Sequence, residues 1–215
     1  MKIFFLRLVI LFIGLSIAHL GVSFFLLADL GSDPFNVMIQ GLFRTQQQLF
    51  SFEFATHGRI HMLISFLIIV VLLFTDKSYI KTGTLICMFF GGPIIDFFNY
   101  FLEPIVKPFM NLPFRIFINI VGCAILAYGM TIVIKSKAGT GPNDLVALVL
   151  SEKSKMNFAP VRICVDVIFA AIGFALEGTL GIGTVICAFI VGPVAGIFLP
   201  YNERLIDRIV REYEK

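Results

Sequence analysis

Long apolar runs, interrupted only by short polar segments, extend through almost the whole sequence. They lie at about 4–28, 60–75, 82–102, 113–136, 161–177 and 182–200. A helix needs roughly 20 apolar residues to cross a bilayer, so each run is a candidate span. Hydrophobic residues make up 58% of the chain and charged residues only 14%, which is too little polar surface for a soluble domain. The sequence therefore predicts an integral membrane protein in contact with lipid, and excludes a soluble enzyme and a nucleic-acid binder.

Two sequence motifs occur twice. Residues 31–36 resemble residues 139–144, since both pair a glycine with a proline three residues later and follow it with Asn or Asp. Residues 83–98 are identical to residues 183–198 at 8 of 16 positions. Two motifs repeated in the same order indicate an internal duplication.

The duplication predicts one membrane domain over 1–215, built from two homologous repeats at about 8–100 and 116–200. The remaining segment, 201–215, places apolar residues on one helical face among arginines, which predicts a short helix on the cytoplasmic interface. The distribution of Lys and Arg between the connecting loops places both termini in the cytoplasm.

Pro34 and Pro142 each follow a break and predict the start of a new helix, because proline is favoured at the first helical position. The apolar segments that they open, 34–43 and 142–151, are only about ten residues long and would rise about 15 Å, half of the hydrocarbon core. We therefore expect an all-α protein with three spans and one half-helix in each repeat, and inverted repeats. The alternative has eight spans and parallel repeats, and the count of positive charges does not distinguish the two.

These motifs resemble the YczE/YyaS/YitT family of bacterial membrane proteins, and the resemblance covers nearly the whole chain. The matching stretches are Leu30-Gly31-Ser32-Asp33-Pro34-Phe35-Asn36, Ala138-Gly139-Thr140-Gly141-Pro142-Asn143-Asp144, Thr82-Gly83-Thr84 and Ile182-Gly183-Thr184. Thr82, where the second copy has Ile182, and the polar insertion at 44–58 depart from the family pattern. The resemblance implies a multi-pass protein of the bacterial plasma membrane, and it implies no substrate or reaction.

Polar side chains at the two breaks are the first candidates for a functional site. Asp33 and Asn36 lie at the first break, and Asn143 and Asp144 at the second. A helix that begins inside a membrane has free N–H groups and partial positive charge at its first turn, which can bind a substrate or an ion. The competing interpretation is that these residues only cap the helices.

Other polar residues at membrane depth complete the candidate set. Asp96 lies in an apolar run and would carry a proton or cation, or serve as a hydrogen-bonded structural acid. Arg162 and Asp166 have the i,i+4 spacing of an ion pair. His57 and His61 flank Arg59 and are expected at the outer interface.

Glycine and proline residues of the repeated motifs predict close helix packing and kinks. The structural set comprises Gly31, Pro34, Gly139, Pro142, Gly83, Thr84, Gly183, Thr184, Gly92, Pro93, Gly192 and Pro193.

The favoured function is a small-molecule or ion transporter with a pathway between the repeats. The alternative is a non-transporting accessory protein that assists another enzyme or assembly in the membrane. An enzyme is not expected, because the sequence has no recognisable catalytic motif. Nor do its four cysteines form a metal-ligand pattern, and we expect neither a metal nor a cofactor.

Overall fold

A computed structural model describes residues 2–50, 54–156 and 158–214 of the chain, and all regular structure in these ranges is helical. The α-helices are α1 (Lys2–Ala28), α2 (Pro34–Phe50), α3 (His57–Thr75), α4 (Thr82–Val106), α5 (Leu112–Ser136), α6 (Pro142–Ser154), α7 (Phe158–Ala175) and α8 (Ile182–Glu214). Short 3-10 turns at Lys77–Tyr79 and Lys107–Phe109 follow α3 and α4. The predicted all-α membrane fold is confirmed.

Among the described helices, 5 are long and apolar enough to cross a membrane: α1, α3, α4 with its following turn, α5 and α8. Their outer surface is apolar, with side chains such as Phe74 and Phe189 exposed at 88% and 76%, as a lipid-facing surface requires. The helix α7 is not in this group. It carries Arg162 and Asp166, and its crossing of the membrane stays a prediction.

The helices α1 and α5 form the centre of the bundle and run antiparallel. Near one end, Arg115 Nε at the start of α5 donates to the carbonyl of Ala28 at the end of α1 (2.6 Å). At the opposite end, Arg7 Nη1 near the start of α1 donates to the carbonyl of Ser136 at the end of α5 (3.0 Å). Because α1 and α5 open the two predicted repeats, this is the relation that inverted repeats require.

The helices that follow the two breaks are longer than predicted. The helix α2 has 17 residues and α6 has 13, instead of about ten. In α2 the polar insertion continues the helix, because its side chains bond to the end of α7: Thr45 Oγ1 donates to the Leu176 carbonyl (3.2 Å) and Gln48 Nε2 to Glu177 Oε2 (2.6 Å). These contacts stabilise a segment that looks like a loop in the sequence.

Each of these helices returns toward the side on which the preceding long helix ends. Arg44 on α2 forms an ion pair with Asp29, which directly follows α1 (2.8 Å). Lys153 near the end of α6 donates to the carbonyl of Thr75 at the end of α3 (3.1 Å), on the side where α5 also ends. This is the course expected of re-entrant segments, although whether residues 34–43 and 142–151 span the membrane stays a prediction.

The C-terminal segment continues α8 as far as Glu214 instead of forming a separate helix. Two ion pairs hold it against the end of α5, Lys135 with Glu203 (2.9 Å) and Lys137 with Asp207 (3.6 Å). The expectation of an independent short helix at 201–215 is wrong, because these pairs and apolar contacts with the start of α1 support a continuous helix.

Candidate functional site

The two repeated motifs bind to each other crosswise. The first break lies against the start of α8, where Gly183 N donates to the carbonyl of Leu30 (2.8 Å). The second break lies against the start of α4, where Gly83 N donates to the carbonyl of Ala138 (3.1 Å). Each predicted repeat therefore supplies a break to the other and receives one from it.

Gly31 and Gly139 permit these contacts for two reasons. Their φ angles are +109° and +152°, which residues with a Cβ rarely adopt. A Cβ on Gly31 would also lie 2.9 Å from the Thr184 amide, and one on Gly139 would lie 2.6 Å from the Thr84 amide. The two breaks share this geometry, so Gly31 and Gly139 have the same packing role against the two Gly-Thr helix starts.

Close packing holds at Gly92 and not at Gly192. Gly92 on α4 touches the backbone of Gly58 on α3, and a Cβ there would lie 2.7 Å from the Gly58 carbonyl carbon. Around Gly192 the described residues leave nothing within 4 Å of such a Cβ. The prediction of a tightly packed Gly192 is wrong, because no described helix covers that face of α8. Both helices continue through Pro93 and Pro193.

At the first break, Asp33 caps the start of α2, and Asn36 links this cap to His57. The backbone nitrogen of Asn36 donates to Asp33 (3.3 Å), and its side-chain nitrogen does so as well (2.7 Å). Asp33 therefore satisfies a free backbone N–H group in the first turn of α2. His57 Nε2 lies 3.3 Å from Asn36 Oδ1. Asn36 and His57 are only 5% and 8% exposed, Asp33 is half-buried, and the three side chains form a polar chain.

At the second break, Arg162 on α7 joins two carboxylates. Its Nη1 lies 2.5 Å from Asp144 Oδ1 in the first turn of α6, and its Nε lies 3.0 Å from Asp166 Oδ2. The predicted pair of Arg162 and Asp166 is present. Asn143 Nδ2 makes a longer contact of 3.4 Å with Asp144. The other carboxylate oxygen of Asp166 has no partner among the described residues, so this group retains a free acceptor.

The helices that open at the two breaks, α2 and α6, both pack against α7. Asp33 directly precedes α2, and Asp144 lies in the first turn of α6, where it pairs with Arg162 on α7. Two carboxylates, from Asp144 and Asp166, flank the guanidinium of Arg162. Positive helix ends stabilise carboxylates, and the excess of negative charge suits a cation better than an anion.

A cavity of about 590 Å³ opens beside the first break. Its lining comprises Leu26, Leu27, Asp29, Gln40, Phe43, Arg44, His57, Asn99, Glu103, Lys107, Met110 and Arg115. This volume is in the range of small-molecule sites. Since His57 belongs both to the lining and to the polar chain, the cavity adjoins the buried residues.

Asp96 lies apart from this chain and binds the start of α3. Its Oδ2 accepts from Thr56 Oγ1 (2.5 Å) and its Oδ1 accepts from Gly58 N (2.9 Å). Both bonds satisfy groups at the N-terminus of α3, which is the arrangement of a structural acid. The structure thus bonds Asp33 to Asn36 and places Asn143 beside Asp144, and Asp96 belongs to neither pair.

The buried positions of His57 and His61 differ from the expected interfacial ones. They are 8% and 7% exposed, and His61 contacts the ring of His19 on α1, with 5.5 Å between ring centroids. Arg59 points away from both and is exposed. The i,i+4 spacing of the two histidines is the signal that could have indicated a shared buried face.

Metal binding has no support within the described residues, where no group of three or more His, Cys, Asp and Glu side chains is placed to hold an ion. The four cysteines are free thiols, and Cys87, Cys123 and Cys187 are buried. These three buried cysteines pack as small apolar side chains.

Comparisons with known proteins place this architecture in a family. The chain is 27% identical over 206 residues to the uncharacterized membrane protein YczE of Bacillus subtilis (strain 168), covering 95% of this chain and 91% of YczE. It is 26% identical over 194 residues to the uncharacterized protein YyaS of the same organism, with 89% and 92% covered. An uncharacterized protein of Haemophilus influenzae is 27% identical over 199 residues, with 91% and 84% covered.

No solved structure matches the chain. Residues 5–200 match the family of unknown function DUF6198, and the relatives YczE and YyaS agree with the resemblance carried by the two motifs. The chain therefore belongs to DUF6198, a family of YczE/YyaS-like membrane proteins.

Proposed function

We propose that this protein is a transporter that moves a small polar molecule or an ion along a pathway between the two repeats. The observation that carries the proposal is a set of bonded polar side chains at each of the two breaks, the first of them next to the cavity. One set runs from His57 through Asn36 to Asp33, and the other joins Asp144 to Arg162 and Asp166 on α7. We place the protein in the bacterial plasma membrane with both termini in the cytoplasm.

Energetic cost supports this interpretation of the two polar sets. A charged side chain at the bilayer centre costs roughly 2.5–3.5 kcal/mol by insertion scales, even when the helix can adjust. Capping alone needs one polar side chain at each helix start, whereas this protein places a guanidinium and further carboxylates there. Charged residues in excess of capping are typical of substrate and ion pathways.

The distribution of charge also limits the substrate. Asp144 and Asp166 outnumber the single cation of Arg162, and Asp166 keeps one oxygen without a partner among the described residues. A cation or a neutral molecule with hydrogen-bond donors would complete this site. No bond-making chemistry is assigned to it, and we propose that the protein is not an enzyme.

Cysteine accessibility tests the pathway directly. In a variant in which the four native cysteines are replaced, single cysteines at Asn36 and Asn143 are treated with a membrane-impermeant thiol reagent in intact cells and in inverted vesicles. Asn143 is preferred to Asp144 because its replacement leaves the ion pair with Arg162 in place. We expect labelling of position 36 from outside and of position 143 from inside.

The matched controls are cysteines at Ile39 on α2 and Ala147 on α6, which are both 0% exposed and lie about one turn from the test positions. They should remain unlabelled from both sides. If positions 36 and 143 are also unlabelled, the breaks are dry, transport is rejected, and the accessory function becomes the better proposal. Equal labelling of test and control positions would mean that the reagent reports unfolding.

A further inference from the structure

The internal duplication relates the outer end of the helix bundle to the inner end, which carries both termini. The copies of the first motif are 108 positions apart and those of the second motif are 100 apart, and the same offsets relate contacts in the structure. The bond from Arg115 to the Ala28 carbonyl at the outer end corresponds to the bond from Arg7 to the Ser136 carbonyl at the inner end. Contacts at one end therefore identify their counterparts at the other.

Apolar packing follows the same correspondence. At the outer end, Val106 near the end of α4 packs in one cluster with Ile118 on α5. At the inner end, Ile206 on α8 packs in one cluster with Ile10 on α1. Since each of these residues matches its counterpart at the same offsets, the ends of α4 and α8 occupy equivalent places in the bundle.

Ion pairs differ between the two ends. Asp29 and Lys137 follow α1 and α5 at corresponding positions, and both have a positive φ, 47° and 60°. At the inner end, Lys137 pairs with Asp207 on α8 (3.6 Å). The counterpart of Asp207 is Lys107, so the outer end has the same two charges exchanged. In the structure, however, Asp29 pairs with Arg44 (2.8 Å) and not with Lys107.

We propose that Asp29 and Lys107 form the outer gate of the transporter, and that their ion pair closes the outer cavity when the inner pair of Lys137 and Asp207 opens. Asp29 and Lys107 both line the cavity, and both side chains are at least half exposed. Among the described residues, Asp29 Oδ2 has only a contact of 3.9 Å with Arg115, which leaves it available to a lysine. The proposal deepens the proposed function and rests on it for the alternation between the two ends.

A second pair of corresponding positions explains why the outer gate is open in the structure. At the inner end, Lys135 on α5 also pairs with Glu203 on α8 (2.9 Å). Their outer counterparts are Leu27 and Glu103, which line the cavity. Because leucine carries no charge, Glu103 pairs with Lys107 of its own segment instead (3.0 Å). Exposed pairs with this i,i+4 spacing are weak, so Lys107 is free to exchange partners.

The substitution Leu27→Lys tests the gate, because it supplies the cation that the outer end lacks. Lysine at position 27 would pair with Glu103 and release Lys107 for Asp29, which favours closure. The ratio of outer-closed to outer-open protein should rise about two- to fivefold, the effect of one exposed ion pair on an equilibrium. The control Leu27→Gln changes the same position without adding a charge and should leave the ratio unchanged.

Reaction rates of single cysteines with a membrane-impermeant thiol reagent report this ratio. The four native cysteines are replaced, and one cysteine is placed at Asn99, which lines the cavity and whose side-chain oxygen has no partner among the described residues. In a second protein the cysteine is at Leu199, its counterpart on α8. Leu27→Lys should slow the reaction of position 99 in intact cells or speed that of position 199 in inverted vesicles. At least one rate must change, because the two states share one population.

Unchanged rates at both positions in Leu27→Lys would overturn the proposal. So would a change that persists when Lys107→Gln is added, since the gate then has no cation. If Leu27→Lys does not fold, Lys135→Leu provides the test from the inner end, where it removes one ion pair and should speed the reaction of position 199. Adding Lys107→Gln at the opposite end should then slow that reaction about two- to fivefold, and an unaffected rate would overturn the proposal.

These rates are independent of the labelling at Asn36 and Asn143 that tests the pathway. Unlabelled positions 36 and 143 together with shifted rates would reject transport and leave a cavity that closes through Asp29 and Lys107. Labelled positions with unshifted rates would leave transport in place and reject this gate.

Discussion

Substituting Gly92 by alanine should destabilise the protein, whereas the same change at its repeat counterpart Gly192 should not. A Cβ on Gly92 would overlap the backbone of Gly58, including the carbonyl carbon at 2.7 Å. Overpacking costs about 1–3 kcal/mol, and we expect the upper end because two backbones must separate. At Gly192 nothing described lies within 4 Å, and alanine would gain about 0.5–1 kcal/mol of helix propensity.

The difference between the two variants, about 4 kcal/mol, corresponds to about 8–16 °C in Tm at 2–4 °C per kcal/mol for a chain of this size. A thiol-reactive fluorescent dye can measure Tm in detergent, because Cys87, Cys123 and Cys187 are buried and become reactive on unfolding. The purified variants are compared with the unsubstituted protein under identical conditions. Equal Tm values for Gly92→Ala and Gly192→Ala would refute the reasoning that α3 and α4 are held at backbone contact.

Three further predictions concern the breaks and their charges. Gly139→Ala should lower Tm, because its φ of +152° and its contact with the start of α4 exclude a Cβ; an unchanged Tm would show that the break relaxes freely. Arg162→Gln should reduce the amount of folded protein by leaving two carboxylates unpaired, and adding Asp144→Asn should restore part of it, as measured by fluorescence-detected gel filtration. A double variant no better than the single one would contradict the pairing. Asp96→Ala should lower the free energy of unfolding by about 1–2 kcal/mol, because it removes the bonds to the start of α3, and a lower Tm would show this. Transport lost without a change in Tm would instead assign Asp96 to the pathway.

Local features of the site could be predicted from the sequence because they depend on residues close together in the chain. The proline after each break begins a helix, Asp33 caps α2, and Arg162 pairs with Asp166 one turn away. Each follows from spacing within a helix or at its first turn. The apolar runs likewise predicted an all-α membrane protein.

Features that join distant parts of the chain could not be predicted in the same way. Nothing in the local sequence of Gly31 indicates that it binds the start of α8, because that contact depends on how the two repeats pack. The extent of α2 was missed because glutamines are compatible with both helix and loop, and the bonds to the end of α7 decide between them. Burial of His61 was missed because Arg59, two positions away, lies on the opposite face of the same helix.

The crosswise binding of the breaks has a consequence for the origin of the protein. In the structure, the break of each half is bonded to the Gly-Thr helix start of the other half. For two halves that are inverted repeats, as the sequence predicts, an ancestral gene encoding one half would have produced a chain inserted in both orientations, with the two orientations paired in a dimer. Fusion of two such genes would fix one orientation for each half, after which His19, His57 and His61 in one and Arg162 in the other could diverge.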